Sequence, residues 1–325
     1  MNEGNHTTIT KFLLLGFQYH PILNPYLFFF FLVAFTLTIF GNLIIILLVA
    51  QSETLKSPMY FFLCHLSCSD ILLSSTVTPK MLDIVKSGGG FISVTKCITQ
   101  LFFYSGTTTA ECLLLTVMSY DRYLAICKPL HYNSIMDLKH QLCLAIWPWA
   151  IGFLVALLLL VFVCHYTFCG PYIMDHYLCD LAPILKLTCS DHSVLDIVDF
   201  VLTIPFIIFP FLFITFTYVS IFLNIFKISS SSGRKKALST CSSHLIVVST
   251  YYGTLMNVYM IPTKIYSYNI NKLVSPLYTT GTPLLNPIIY SLRNQEIKIA
   301  LNKCISVYLA KSQFGHLPRK MKSGL

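Results

Sequence analysis

Seven stretches, near residues 26–50, 58–80, 98–127, 142–164, 197–226, 237–262 and 273–292, are continuously apolar over the ~20 residues a helix needs to cross a hydrocarbon core. Water does not reach the inside of a bilayer, so every backbone N–H and C=O there must be paired within the protein. Helices meet that demand segment by segment, and these runs, rich in Leu, Ile and Phe, lack the short alternation of barrel strands. The expected fold is an all-α membrane protein: an extracellular N-terminus (1–25), a seven-transmembrane helix bundle (26–292), then a short amphipathic cytoplasmic helix and basic tail (293–325). Composition excludes a water-soluble domain, with 55% hydrophobic residues, 11% charged and a mean hydropathy of +0.69.

Charge sets the expected orientation. With the N-terminus outside, most of the 22 lysines and arginines lie on the cytoplasmic side, among them Lys56, Arg122, Lys128, Arg234 and Lys235. The net charge of +9 then reflects topology and contact with anionic inner-leaflet lipid, and no nucleic-acid partner is implied. Asn5-His6-Thr7 is a glycosylation acceptor at Asn5, useful only on an outside N-terminus. An outside N-terminus and an inside C-terminus require an odd number of spans. The apolar bit from Phe12 to Phe17 is too short for a cleavable signal, so the first span is expected to target the chain.

The 12 cysteines sort by compartment. Cys64, Cys68, Cys112, Cys127, Cys143, Cys164, Cys241 and Cys304 fall in spans or on the cytoplasmic side, where thiols act as small hydrophobes or, at Cys304, as a palmitoylation site. Cys97, Cys169, Cys179 and Cys189 remain outside, and four cysteines in an oxidising compartment read as bridged, with three pairings open. A zinc site is the rival reading, but close C-x-x-C pairs are lacking. Three of the four lie in the long segment from about His165 to Asp196, with Asp175, His176, Asp180 and Asp191. Tethered through Cys97 to the top of the third helix, that segment would form a lid over the bundle mouth; a disordered loop is the bland alternative.

Polar residues at membrane depth are costly and should face one another. Asn42, Asp70, Glu111 and Asn286 are such residues, and two carboxylates with an amide suit a small hard cation such as Na⁺, or a shared proton. Plain helix-to-helix hydrogen bonding is the alternative. Asp121 and Arg122 form an ionisable pair at the end of a long apolar helix and read as a switch rather than as an arginine that merely snorkels. Asn286-Pro287-Ile288-Ile289-Tyr290 kinks the seventh helix, because Pro287 removes a backbone bond. Beyond it Ile297, Leu301, Ile305 and Tyr308 recur at helical spacing, the apolar face of a helix lying on the membrane. Ser229 to Ser232 could accept phosphate, although serine runs in loops are more often flexible linkers. On the third helix Tyr104, Ser105, Thr108 and Thr109 share a side.

Four stretches, in order, carry a resemblance: P-M-Y-F-F-L-C-H-L-S-C-S-D at 58–70, M-S-Y-D-R-Y-L-A-I-C-K-P-L-H-Y at 118–132, K-A-L-S-T-C-S-S-H-L at 236–245 and P-L-L-N-P-I-I-Y-S-L-R-N at 283–294. Over almost its full length the chain resembles a rhodopsin-like (class A) G-protein-coupled receptor, specifically an odorant receptor of the tetrapod-type (class II) branch. The resemblance implies a plasma-membrane protein that is not an enzyme. Such a receptor binds a small odorant in the outer half of its bundle and activates a stimulatory, olfactory-type G protein that raises cAMP. It implies a switch at Asp121, Arg122 and Tyr123, with Tyr218 and Tyr290 rearranging toward the arginine and Asn286 and Pro287 in the hinge. It matches Asp70, Glu111 and Asn286 to an internal polar cluster, Cys97 to Cys179 as the general bridge and Cys169 to Cys189 as an additional one. The pocket it implies joins Tyr104, Ser105, Thr108 and Thr109 with Leu202, Phe206, Tyr252, Leu255, Met256, Tyr259 and Thr279, so that the third, fifth, sixth and seventh helices line it. Such a cavity suits small, mostly uncharged ligands with one hydrogen-bonding group. Departures are minor: Ser119 stands where alanine is common, Leu124 where valine is and Leu238 where phenylalanine is.

Rival classes are a non-olfactory chemosensory class A receptor, a transporter and an intramembrane enzyme. The transporter reading needs repeated halves or paired broken spans, and neither is visible. The enzyme reading needs a motif such as H-E-x-x-H or G-x-S-x-G, and neither occurs. A light sensor needs a lysine within the seventh span, and Leu273 to Leu292 has none.

Overall fold

The computed structural model describes residues 9–17, 21–168, 172–189, 193–227, 230–259 and 268–315. Apolar continuity becomes a bundle of long helices: α1 (Asn24–Gln51), α2 (Pro58–Ser87), α3 (Val94–Cys127), α5 (Leu138–Cys164), α7 (Ser193–Phe226) and α8 (Ser231–Tyr259). The seventh is α9 (Tyr268–Pro276), a π turn at Leu277–Gly281 and α10 (Thr282–Arg293) in unbroken succession. Short pieces link them, among them α4 (Tyr132–Ile135) and α6 (Leu181–Leu185), and α11 (Gln295–Gly315) follows the bundle. Among the described residues, α1, α2, α3, α5 and the Ile204–Phe226 part of α7 are long and apolar enough to cross a membrane by length and composition alone. The sixth helix differs from expectation in beginning at Ser231, inside the Ser/Lys/Arg segment, and the seventh in its π turn. In that turn the Thr282 N–H reaches back to the Leu277 carbonyl, a wider ring than the α-helix allows, just before Pro283.

α3 sits at the centre, against α2, α5 and α7, while α1 packs on α2 and α10. The α3–α5 crossing is close because two glycines meet there. A Cβ on Gly152 would lie 2.5 Å from the Gly106 carbonyl oxygen, so only hydrogen fits.

At one end of the bundle the chain builds a sheet that its sequence did not announce. β1 (Lys11–Leu14) pairs antiparallel with β2 (Gly90–Ser93), Lys11 opposite Ser93 and Leu14 opposite Gly90, and parallel with β3 (Ile173–Met174). Phe12 and Leu14 point inward and are fully buried, which supplies the apolar weight for a four-residue strand. Gly16 then turns the chain at φ +65°, where a Cβ would sit 2.4 Å from Ile84 Cγ2. At the other end Asn294 caps α11, its Oδ1 accepting from the N–H groups of Glu296 and Ile297 at 3.0 and 3.3 Å. Along the expected apolar stripe Ile297 is buried, Leu301 half-buried and Ile305 exposed, and the Tyr308 side chain lies outside the described residues.

Candidate ligand cavity and cytoplasmic switch

A cavity of about 110 Å³ lies between α3, α5, α7 and α8. α3 gives it Tyr104, Ser105, Thr108 and Thr109, α7 gives Phe206 and α8 gives Leu255, all of them expected. Three other expected members stand elsewhere. Tyr252 lies below, its hydroxyl donating to the Cys112 carbonyl at 3.0 Å, and Met256 packs against the core. Thr279 donates to the Ser275 carbonyl at 3.0 Å and shares a hydrogen bond with Tyr177, so it holds the outer loop rather than the lining. The Leu202 and Tyr259 side chains lie outside the described residues. Among the described residues no lining comes from the seventh helix, where the Tyr278 hydroxyl bonds that of Tyr104 and closes the wall. Sequence reasoning missed Leu101 and Cys112 of α3, Val155 and Leu159 of α5, Ile207 of α7 and Asp180, Leu181 and Ala182 of the outer loop. α5 is apolar on all sides, so no periodicity marks its inner face.

Hydroxyls dominate the polar part of the lining, and most are already engaged. Ser105 Oγ donates to the Leu101 carbonyl at 2.8 Å and Thr109 Oγ1 to the Ser105 carbonyl at 2.9 Å. Thr108 Oγ1 is buried with no hydrogen-bond partner, while its carbonyl accepts from the Tyr251 hydroxyl at 2.8 Å. A buried, unsatisfied hydroxyl that faces a cavity is where an incoming polar atom gains most.

The loop above is a lid, fixed at several points. Cys97 and Cys179 are bridged, and the Cys179 N–H donates to Gln100 Oε1 at 3.0 Å. Cys189 is disulfide-bonded; its expected partner Cys169 lies outside the described residues, next to Phe168, which forms a bridge with Thr188. Lys272 of α9 pairs with Asp175, and Tyr177 stacks on Phe17 at 4.9 Å. Burial, reinforced by the Lys272 ammonium, pushes the His176 imidazole down to about 4, so it is neutral at pH 7.

Below the cavity the buried Asp70 and Asn286 meet, Asn286 Nδ2 donating to both carboxylate oxygens at 3.0 Å. Glu111 is the acidic neighbour of Asp70. Asn286 Oδ1 and Ser74 Oγ are buried without a hydrogen-bond partner, and the buried Glu111 carboxylate has the hydroxyls of Ser69 and Tyr251 as its polar neighbours. Among the described residues no three His, Cys, Asp or Glu side chains cluster as a transition-metal site would need. Asn42 donates to the Thr38 and Pro283 carbonyls at 3.0 and 3.1 Å, and its Oδ1 is buried without a hydrogen-bond partner.

At the end of the bundle away from the sheet the buried Asp121 is held on both oxygens. Oδ2 takes the Arg122 guanidinium through Nε, at 2.9 Å, and Nη2, while Oδ1 accepts from the Tyr132 hydroxyl at 2.7 Å. Tyr123 is half-buried against the core. Tyr218 is bonded to His244 Nδ1 at 2.6 Å, and the buried Tyr290 hydroxyl has no partner. Pro287 lies inside α10, one residue from the Asn286 that binds Asp70. Asn5 lies outside the described residues. One contact the sequence did not suggest ties α2 to α11: the Tyr60 hydroxyl, 3.0 Å from Asn294 Oδ1 and 2.8 Å from Glu296 Oε2.

Comparison with known proteins places these features. A sequence profile described as olfactory receptor matches residues 29–308. Olfactory receptor 6B1 from Homo sapiens is 44% identical over 305 residues, covering 93% of this chain and 97% of its own length. Olfactory receptor 9G19 from Mus musculus is 42% identical over 303 residues, covering 93% and 99%. The crystal structure of squid rhodopsin superposes with a TM-score of 0.70 over 90% of this chain and 88% of that one; at 17% identity it speaks for the fold alone.

Proposed function

The chain belongs to the olfactory receptor family, receptors that couple odorants to G proteins and are not enzymes, and we propose that it is a plasma-membrane receptor, N-terminus outside, coupled to a stimulatory olfactory-type G protein. The cavity takes one small, mostly uncharged odorant, and Thr108 supplies the hydrogen bond that orients it. The observation that carries this reading is the pairing of a partly enclosed, mainly apolar space with one buried hydroxyl lacking a partner.

Signal transfer needs no chemistry on the ligand. Directly below the cavity, Tyr251 and Tyr252 of α8 hold the backbone carbonyls of Thr108 and Cys112, so α8 is fastened to α3 by the wall the odorant touches. An odorant that fits better once this fastening shifts favours the active arrangement, by no more than its difference in affinity for the two states. Asp121 and Tyr132 hold Arg122 in the resting arrangement, and release frees the guanidinium for the G protein. We assign Na⁺ to Asp70, Glu111 and Asn286 in the resting state, on the strength of two buried carboxylates beside the unpartnered Asn286 Oδ1.

A cAMP reporter in cells carrying the olfactory-type stimulatory G protein, exposed to a broad odorant panel, tests this directly. We expect a dose-dependent rise that Arg122→Ala abolishes at equal surface labelling; an undiminished response in the variant would sink the role of Arg122. Silence across the panel in the wild type at confirmed surface expression would count against the cavity as an odorant site.

A further inference from the structure

The cavity is closed very differently on two sides. Toward the extracellular side, Asp180, Leu181 and Ala182 lie over it on a loop fixed by the Cys97–Cys179 bridge, the Gln100 contact, the Lys272–Asp175 pair and β3. On the flank, between α3, α5 and α7, lies a second hollow of about 300 Å³. Leu113 and Thr116 of α3, Trp147 of α5 and Pro205, Phe206 and Phe209 of α7 line it. Thr116 donates its hydroxyl to the Cys112 carbonyl at 2.8 Å, which leaves the hollow hydrocarbon and aromatic in character. Phe209 is largely exposed on the side that faces lipid in a membrane-spanning bundle.

Phe206 lines both spaces, so one ring stands between them. Its stretch of α7 is short of backbone bonds. Pro205 and Pro210 have no N–H to donate to the carbonyls of Val201 and Phe206, so the turns around Phe206 lack two rungs of the helix ladder. A ring on such a stretch can swing at lower cost than one in an intact helix.

We infer that Phe206 is a side gate: uncharged, apolar odorants dissolved in the bilayer enter the hollow between α3, α5 and α7 and pass the Phe206 ring into the cavity. This rests on reading the cavity as the odorant site. Molecules with little polar surface concentrate in the bilayer because water excludes them, so the lipid-facing hollow meets them at a higher concentration than the lid does. The hollow offers them aromatic and aliphatic contact and asks for no hydrogen bond. A charged molecule gains nothing there.

A gate on the path changes entry and exit by the same factor and leaves the affinity alone. We would reconstitute the full-length receptor in lipid nanodiscs, add an uncharged dialkyl diazirine, photolyse after increasing delays and map the label by mass spectrometry. Two variants alter the hollow but not the cavity lining: Thr116→Phe fills it and Phe209→Ala widens it. We expect label on α7 near Phe209 before label on the 101–112 stretch of α3. Thr116→Phe should slow cavity labelling by about tenfold at an unchanged plateau, and Phe209→Ala should speed it. Asp175→Asn, which loosens the lid, should leave the rate alone. If cavity labelling ignores both hollow variants, or Asp175→Asn alone speeds it, the gate is overturned and the odorant site stands. If the wild-type cavity takes no label at any delay, the site and its gate both fall.

Discussion

In the proposed odorant site Thr108 has more to offer a ligand than its neighbours, because its hydroxyl has nothing else to bond. Ser105 and Thr109 spend theirs on the helix backbone, whereas Thr108 Oγ1 is buried without a partner. Thr108→Val keeps the shape and removes that one group. For an odorant with a carbonyl or hydroxyl we expect potency to fall by about tenfold, the upper end of what a neutral hydrogen bond contributes, and for a pure hydrocarbon to stay nearly level. Dose–response curves for such a pair of agonists decide it, and an equal loss for both would mean that the residue only shapes the wall. Tyr132 offers a second test of a single atom. Its hydroxyl donates to Asp121 Oδ1, and a hydrogen bond to a charged acceptor is worth about 1.5–3 kcal/mol. Tyr132→Phe should loosen Asp121, and with it Arg122, raising agonist-free cAMP severalfold; basal signalling unchanged at matched surface expression would show that the bond does not hold the resting state.

The outer lid shows what an element owes to partners far away in sequence. Lys11–Leu14 is four residues with no periodic signature, and it becomes a strand because β2 and β3 lie on either side to pair with it and bury Phe12 and Leu14. No local pattern encodes that, whereas the seven spans and the amphipathic start of α11 are visible because apolar continuity and helical spacing are local properties. The same reasoning separates the two halves of the cavity. Tyr104, Ser105, Thr108 and Thr109 are legible on α3, where polar and apolar residues alternate by face, while Val155 and Leu159 are hidden in the uniformly apolar α5. The lid carries its own pH dependence through His176, which is buried beside Tyr177, Lys272 and Asp175. Its imidazole titrates near 4 when folded, against about 6.5 when unfolded. The unfolded chain therefore binds the proton first as pH falls, so stability from this group is whole above pH ~6.5 and lost progressively toward pH ~4. We expect the melting temperature of purified receptor to decline across that window and His176→Gln to flatten the decline; identical pH profiles would assign the loss to other groups.

Across the whole molecule, the cavity and the Asp121–Arg122 pair, the proposed odorant site and switch, are joined by α3, which lines the first from Leu101 to Cys112 and carries the second. Between them, next in the chain to the cavity residue Cys112, stands Glu111, facing Asp70 and its Asn286 partner. A shift at the tyrosines that clamp α8 to α3 must therefore be felt by the buried oxygens one residue away. If Na⁺ fills those oxygens in the resting state, linkage requires that the cation weaken agonist binding by the same factor as the agonist weakens cation binding. Raising NaCl from ~10 to ~150 mM against N-methylglucamine, so that ionic strength stays constant, should then raise the agonist concentration for half-maximal response by about fivefold, the low end of typical coupling between sites. Glu111→Gln keeps the shape and removes the charge, and should abolish the sodium effect while the receptor still reaches the surface and responds. A sodium effect of the same size in that variant would mean that the cation acts elsewhere, and that Asp70, Glu111 and Asn286 meet only to satisfy one another.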